Sequence, residues 1–311
     1  MKKADFYPEI SEGPINGQAY WVTTDDNLTI RVGMWPRNGV TKGSVFLFPG
    51  RFGYIERFGR VAAEFERNGF ASMVIDWRSQ GLSARLTKDR QTGHILRFSD
   101  YQKDVEAMFK AAETLDLPRP WNLVAISMGA CIGLRSVMDG IPVSAAAFIV
   151  PMWGIKLPLI KRLAAWPVTW SAQALGMGHL YAPGEISEPY ILSTRFAENN
   201  LTHDPEMYDY WINQSRTIPQ LSIGGPSFAW VYQSMVECRT LSKFPSPKVP
   251  CITFCAEQDD LVDNSATKDR MDRWPGGTFK VVEKAKHDIL SEVPEIRSPI
   301  TKKICQFFAG K

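Results

Sequence analysis

One serine set between small residues, four histidines and a loop crowded with carboxylates are the parts of this 311-residue chain that could do nucleophilic chemistry. The stretch "NLVAISMGACIG" (122–133) is an apolar run that stops at Ser127, with Ala125 and Gly129 two residues to either side. A neutral hydroxyl is a poor nucleophile: it needs an adjacent base, and the base needs a third group to orient it. A tight strand-to-helix turn that exposes such a serine requires little bulk at those flanking positions, and alanine and glycine provide that. The plainer alternative is a serine that caps a helix after a buried strand. Candidate bases are His94, His179, His203 and His287, and the loop "EQDDLVDNSA" (257–266) offers Glu257, Asp259, Asp260 and Asp263 as the orienting acid.

Whether these groups can meet depends on the elements that carry them. "AYWVTT" and "LTIRVGMW", separated by Asp25-Asp26-Asn27, predict an antiparallel hairpin. Short apolar strands follow at 44–48, 71–75, 121–126 and 144–150. They alternate with helices expected over about 55–68, 100–114 and 128–137. Asn68-Gly69 suits the left-handed end of the first of these helices. Strand–helix alternation implies a parallel sheet with right-handed crossovers. From 151 to about 235 the rhythm breaks into a stretch rich in Trp, Pro, Tyr and Met. It resumes with "CITFCA", a helix near 264–273, the strand 278–283 and a last helix near 297–309. The expected organisation is one α/β core formed by 1–150 and 236–311, with a helical cap inserted over 151–235.

Bulk properties exclude several classes. A composition 44% hydrophobic and 22% charged belongs to an ordinary globular protein. The net charge of +3 lacks any basic block, so no nucleic-acid partner is expected. The start "MKKADFYPEI" has no apolar core of a signal peptide, and no stretch approaches the length of a membrane span. Five cysteines without paired spacing fit a reducing cytoplasm, with Cys251 and Cys255 packed as small hydrophobes. No metal or organic cofactor is expected.

On a parallel sheet the reacting groups gather at the carboxyl ends of the strands. Ser127 meets that condition. His94 precedes it, His179 and His203 fall in the insert, and His287 follows the last strand in "KAKHDIL". In a nucleophile–acid–base chain order, His287 is therefore the expected base. Asp259 stands three residues after "CITFCA", ahead of the apolar pair Leu261-Val262, and is the expected acid; Asp260 is the second choice. Asp263 is read as the cap of the next helix, with Asn264 competing for that role. An oxyanion hole needs two backbone N–H groups. Met128, next to the nucleophile, supplies one, and Arg51 in "PGRFG" (49–53) is placed to supply the other.

With these residues in view, the chain resembles the α/β-hydrolase branch of monoacylglycerol lipases and bacterial lysophospholipases, the serine aminopeptidase or "hydrolase-4" group. Four stretches carry the likeness: residues 48–85, "ISMGACIGLR", "LTHDPEMYDYW" with "IGGPSFAWV", and "AEQDDLVDNSA…KAKHDIL". The resemblance implies Ser127, Asp259 and His287 as the triad and Arg51 and Met128 as the oxyanion donors. Three departures stand out: Pro49 where the lipases have histidine, Ser79 where the family has glycine, and Ala125 for the first glycine of the elbow.

The implied activity is ester hydrolysis through an acyl-enzyme on a small lipid-like substrate, a lysophospholipid or a monoacylglycerol, with no obligate protein partner. Competing readings are a small-ester carboxylesterase, an aminopeptidase using Glu185, Glu188 or Glu198 to hold an amino terminus, and a non-catalytic ligand-binding homologue. "WGIKLPLIKRLAAWPVTW" (153–170) mixes Trp, Leu and Ile with Lys156, Lys161 and Arg162, which suits transient contact with a membrane surface from the cytoplasmic side. Packing of a helix pair on the core is the plainer reading, since Pro158 and Pro167 are expected to interrupt any single long helix.

Overall fold

Five runs too short for helices, "SVFLF", "ASMVID", "WNLVAI", "AAAFI" and "CITFCA", are buried at every residue and form the parallel centre of one sheet. The structure, a computed structural model, describes residues 1–37, 39, 41–156 and 159–310, with 159–162 described by their backbone alone. Nine strands follow in chain order: β1 (Lys2–Ala4), β2 (Gln18–Thr23), β3 (Thr29–Trp35), β4 (Ser44–Phe48), β5 (Ala71–Asp76), β6 (Trp121–Ile126), β7 (Ala145–Ile149), β8 (Cys251–Ala256) and β9 (Thr278–Val282). Their spatial order is β1-β2-β3-β5-β4-β6-β7-β8-β9. β1, β2 and β3 are antiparallel, β3 runs antiparallel to β5, and every pair from β5 to β9 is parallel. The mostly parallel α/β sheet expected from the alternation is present, and β1 is an addition the sequence reading did not include.

The helices are α1 (Pro8–Ser11), α2 (Gly59–Arg67), α3 (Tyr101–Thr114), α4 (Met128–Met138), α5 (Leu159–Ala174), α6 (Tyr190–Ser193), α7 (Pro205–Thr217), α8 (Phe228–Leu241), α9 (Asn264–Asp272) and α10 (Pro294–Ala309). The helix expected over 55–68 is divided into a 3₁₀ turn, Ile55–Phe58, and α2. Gly59 sits at the division because a Cβ there would lie 1.8 Å from the Ser11 carbonyl oxygen at the end of α1. Gly69 closes the segment with φ +99°, the left-handed value expected of it.

Helices α5 to α8 lie between β7 and β8. The boundary expected at 235 falls inside α8, whose Trp230, Cys238 and Leu241 belong to the main apolar core under the sheet. Ile191, Leu201, Met207, Tyr208, Tyr210 and Trp211 build a separate apolar cluster. A strap joins this region to the loop before α3. Gly224 N–H donates to the Gln91 carbonyl, Gly93 N–H to Gly225 and Ser227 N–H to Gly93.

Contrary to the sequence expectation, Pro167 does not end its helix: α5 runs straight through it. A proline mid-helix removes one N–H and crowds the carbonyl one turn back. Here both Pro167 and Leu163, the residue whose carbonyl loses its donor, are exposed, so water can take that acceptor. The Thr169 hydroxyl also donates to the Ala165 carbonyl and supports the turn. Pro158 and the side chains of Lys161 and Arg162 lie outside the described residues.

A charge cluster with no exposure to water ties the first half of the sheet together. Arg31 of β3 donates to both carboxylate oxygens of Glu56, at 2.9 and 2.7 Å, and to Asp76 Oδ2 at 2.8 Å. Asp76, the last residue of β5, also accepts the Ile55 and Leu82 N–H groups, each at 2.8 Å. Removing the cation would leave two buried carboxylates without a counter-ion, which costs about 3–5 kcal/mol. Urea unfolding of Arg31→Met should show a loss of that size, and a stability equal to wild type would contradict this account of the cluster.

Candidate active site

Strand β6 ends at Ile126 and α4 begins at Met128, so Ser127 must turn the chain in a single residue. Its φ of 52° and ψ of −116° lie in a region that side-chain-bearing residues avoid. Four bonds hold it there: Ser127 N–H donates to the Ile149 carbonyl, while its own carbonyl accepts from Ala130, Cys131 and Met152. Gly129 is required for the fit, since a Cβ there would lie 2.1 Å from the Phe48 carbonyl oxygen. Ala125 has a different accommodation. Its methyl faces Gly133 one turn into α4, where a second Cβ would stand 3.0 Å away. The bulk added at position 125 thus sits against a glycine on the facing helix.

His287 lies between a hydroxyl and a carboxylate. Its Nε2 is 2.9 Å from Ser127 Oγ and its Nδ1 is 2.8 Å from Asp259 Oδ2. With Nδ1 protonated, the imidazole donates to Asp259 and leaves Nε2 free to accept the serine proton. Both His287 and Asp259 are buried. Burial alone would raise the Asp259 carboxyl. The hydrogen bond and charge of His287, with the Leu261 and Val262 N–H groups donating to Oδ1, outweigh it and hold the carboxyl below its ordinary value. Asp260 points away to an exposed ion pair with Lys156 at 2.7 Å. Lys156 Nζ also donates to the Asp259 carbonyl, and Ile155 pairs with Val262, so the acid loop is clamped from the start of the insert. Asp263 caps α9 by accepting from Ser265 N–H, whereas the Asn264 amide donates back to the Ala256 carbonyl.

The loop after β4 closes the other side. A Cβ on Gly50 would lie 3.2 Å from Ser127 Cβ and 3.8 Å from Oγ, which places the backbone of Gly50-Arg51 beside the hydroxyl. Met128 is the first residue of α4, so its N–H has no acceptor within the helix and stands at the positive end of the helix dipole. Gln80 braces both parts: its Oε1 accepts from Phe52 N–H at 3.1 Å and its Nε2 donates to Met128 Sδ. Trp77 Nε1 donates to the Pro49 carbonyl at 2.9 Å. Ser79, which replaces a glycine of the related pattern, takes φ 64° in the same turn.

Two supports escaped the sequence reading. Glu292, with no exposure, accepts from Lys286 N–H, His203 N–H and His203 Nδ1, and so anchors the His287 loop to the segment before α7. Arg57 stacks over Trp211 and pairs with Asp288, the neighbour of His287, at 3.2 Å. Neither carries a local signal, because the partners are remote in sequence. Ser127, Met128, Arg51 and His287 line one cavity of about 570 Å³, together with Met152, Ile155, Trp230, Leu261 and Val262.

A parallel-centred sheet with helices on its faces and a nucleophile-type turn after its central strand is the α/β-hydrolase fold. Solved structures share it. A monoglyceride lipase from Saccharomyces cerevisiae aligns with a TM-score of 0.70 at 17% identity, covering 92% of this chain and 93% of the other. A carboxyl esterase from Bacillus coagulans aligns with a TM-score of 0.72 at 14% identity, covering 94% and 98%. Residues 39–294 match the family described as serine aminopeptidase, S33 (Hydrolase_4), and the chain belongs to that family. Among curated proteins it is 29% identical over 281 residues to lysophospholipase L2 of Escherichia coli, covering 85% of this chain and 79% of that one. It is 26% identical over 277 residues to a probable lysophospholipase L2 of Haemophilus influenzae, covering 88% and 85%.

The remaining histidines do different work. His179 is exposed and His203 serves Glu292, while His94 is buried with Nδ1 2.8 Å from the Ser227 hydroxyl that caps α8. Burial, with a smaller push from His179, holds the His94 imidazole down at about 4, from an ordinary 6.5. Between those values the unfolded chain binds a proton that the folded chain refuses, so stability falls as pH drops through that window. From pH 7 to about 4.5 the wild type should lose on the order of 2 kcal/mol more than His94→Gln, read from urea midpoints. Parallel losses in both proteins would remove His94 from this role.

Proposed function

We propose that the protein is a serine hydrolase that cleaves the carboxylic ester of a lipid-like substrate, a lysophospholipid or a monoacylglycerol, through an acyl-enzyme on Ser127. The observation that carries the reading is the unbroken line Asp259–His287–Ser127 opening into a largely apolar cavity. His287 takes the Ser127 proton as Oγ attacks the ester carbonyl, and the Met128 and Arg51 N–H groups receive the oxyanion. Collapse of the tetrahedral intermediate breaks the ester C–O bond, with His287 protonating the departing alcohol. Water, deprotonated by His287, then attacks the acyl-enzyme and releases the fatty acid and free Ser127. Asp259 keeps the imidazole in the productive tautomer and stabilises its charged form. Met152, Ile155, Leu261 and Val262 give the acyl chain an apolar wall. The lysophospholipase names of the curated relatives support the same substrate class.

In this reading the segment between β7 and β8 is the cap that shapes substrate choice. It also carries an exposed apolar face. Leu163 and Trp170 of α5 are seven residues apart, hence on one side of the helix, and Leu175, Met177, Leu180 and Ile186 are exposed beyond them. We propose that this face rests transiently on a membrane surface, where aromatic and aliphatic side chains sit at headgroup level. Trp166, by contrast, packs edge-on against Tyr232 and is unsuited to the role.

Ser127→Ala should fold like wild type and lose turnover of p-nitrophenyl esters by about 10⁴-fold or more. Asp259→Asn should lose on the order of 10⁴-fold while Asp260→Asn stays close to wild type. A chain-length series of p-nitrophenyl esters, run beside monoacylglycerol, lysophosphatidylcholine and an aminoacyl-nitroanilide, separates esterase from peptidase. Full activity of Ser127→Ala, or cleavage of the anilide alone, would defeat the proposal. For the membrane face, intact protein should float with liposomes and Leu163→Ser/Trp170→Ser should remain in the dense fraction; failure of the intact protein to float disposes of the idea.

A further inference from the structure

Arg51 contributes its backbone to the proposed oxyanion site, but its side chain has an occupation of its own. The guanidinium lies 3.8 Å from the Phe52 ring centroid and 5.6 Å from that of Trp230, and Nη1 donates to the Gly224 carbonyl at 2.9 Å. All four residues line the cavity that holds Ser127. A guanidinium has five N–H donors, and among the described residues this is the one hydrogen bond its side chain makes to the protein. No carboxylate of the described residues lies within 4 Å of it. Arg57, at the same cavity, is instead paired with Asp288. Burial pulls the Arg51 guanidinium down to about 10, with Glu185 opposing from outside ion-pair distance. A half-buried cation without a counter-ion is poorly compensated, and an anionic ligand in the cavity would relieve that cost.

Further out, Glu185 and Glu188 line the same cavity on exposed residues. The polarity therefore runs from the nucleophile to a cation and then to acidic groups at the rim. Building on the ester-hydrolase reading above, we propose that Arg51 binds the phosphate of a lysophospholipid whose ester sits on Ser127, and that Glu185 and Glu188 receive the ammonium of a zwitterionic head group. The covalent spans agree. From the Arg51 amide nitrogen to its guanidinium carbon there are as many bonds as from the carbonyl carbon of a 1-acyl lysophospholipid to its phosphorus. One residue can then donate a backbone N–H to the oxyanion and a planar fork to the phosphate. A monoacylglycerol offers only a hydroxyl at that place and leaves the guanidinium without a counter-ion, so the site favours the phospholipid.

The test compares kcat/KM for lysophosphatidylcholine and for a monoacylglycerol of the same acyl chain in wild type, Arg51→Lys and Arg51→Met. Wild type should prefer the phospholipid. Arg51→Met should lower the ratio of the two constants by about ten- to a hundredfold, the worth of a hydrogen bond to a charged group, and Arg51→Lys should restore part of it. Equal losses on both substrates would overturn the proposal and leave Arg51 a role in the loop alone. Glu185→Gln should lower the preference for lysophosphatidylcholine over lysophosphatidylglycerol, and an unchanged preference removes Glu185 from the head-group site.

A binding measurement separates this inference from the hydrolytic one. Calorimetry on Ser127→Ala should find 1-O-dodecyl-glycero-3-phosphocholine bound about tenfold or more tightly than 1-O-dodecylglycerol, with the difference abolished by adding Arg51→Met. If the phosphocholine ether is preferred through Arg51 while wild type cleaves no ester, the hydrolase reading fails and the phosphate site stands. If wild type cleaves esters but neither ether is preferred, the phosphate site fails alone.

Discussion

The Arg31 guanidinium, enclosed by Glu56 and Asp76, is the interaction on which the position of the site depends. Asp76 ends β5, and its carboxylate also takes the N–H groups of Ile55 and Leu82. One side chain thereby fixes the entrance to the 3₁₀ turn before α2 and the turn after β5. The second of these turns carries Trp77 and Gln80, which hold Pro49, Phe52 and Met128. Gly81 belongs to the same arrangement, for a Cβ on it would stand 2.1 Å from Asp76 Oδ2. A buried ion triad is not an efficient way to stabilise a fold. Here it specifies where two loops sit relative to each other, and the backbone beside Ser127 inherits that precision.

Much of this was legible in the sequence because it rests on local patterns. Short buried runs alternating with helical periodicity specify a parallel sheet, and a sheet of that kind collects its loops at one edge. Small residues around Ser127 and a lone late histidine then identify two of the three aligned side chains. The choice between Asp259 and Asp260 is less visible, because adjacent residues differ only in direction. The structure separates them by a turn in which Asp259 Oδ1 accepts the N–H groups of Leu261 and Val262, turning Asp260 outward to Lys156. Pro167 misled for a related reason. Its penalty depends on whether water can reach the deprived carbonyl, a property of exposure that a pattern of residue types does not contain.

What the sequence hid is the second tier of contacts. Glu292 and His203 are 89 positions apart, and Tyr54 and Gln214, bonded at 2.9 Å, are 160 apart. Each member is an unremarkable polar residue until folding brings it to its partner. The same holds for Ala125. Its fit depends on Gly133 across the strand–helix interface, so the two positions have to be read together.

The strap between 91–94 and 224–227 has a mechanical consequence. A segment joined to its host only through its two chain ends could swing outward as a door. This one has a third attachment, three backbone bonds reinforced by the buried contact of His94 with Ser227, and a fourth where Lys286 and Asp288 grip Asn199 and Leu201. Attachments on several sides turn a door into a vault. Access to the cavity then rests on the exposed residues of its lining between 184 and 188, a few side chains, rather than on the rotation of four helices.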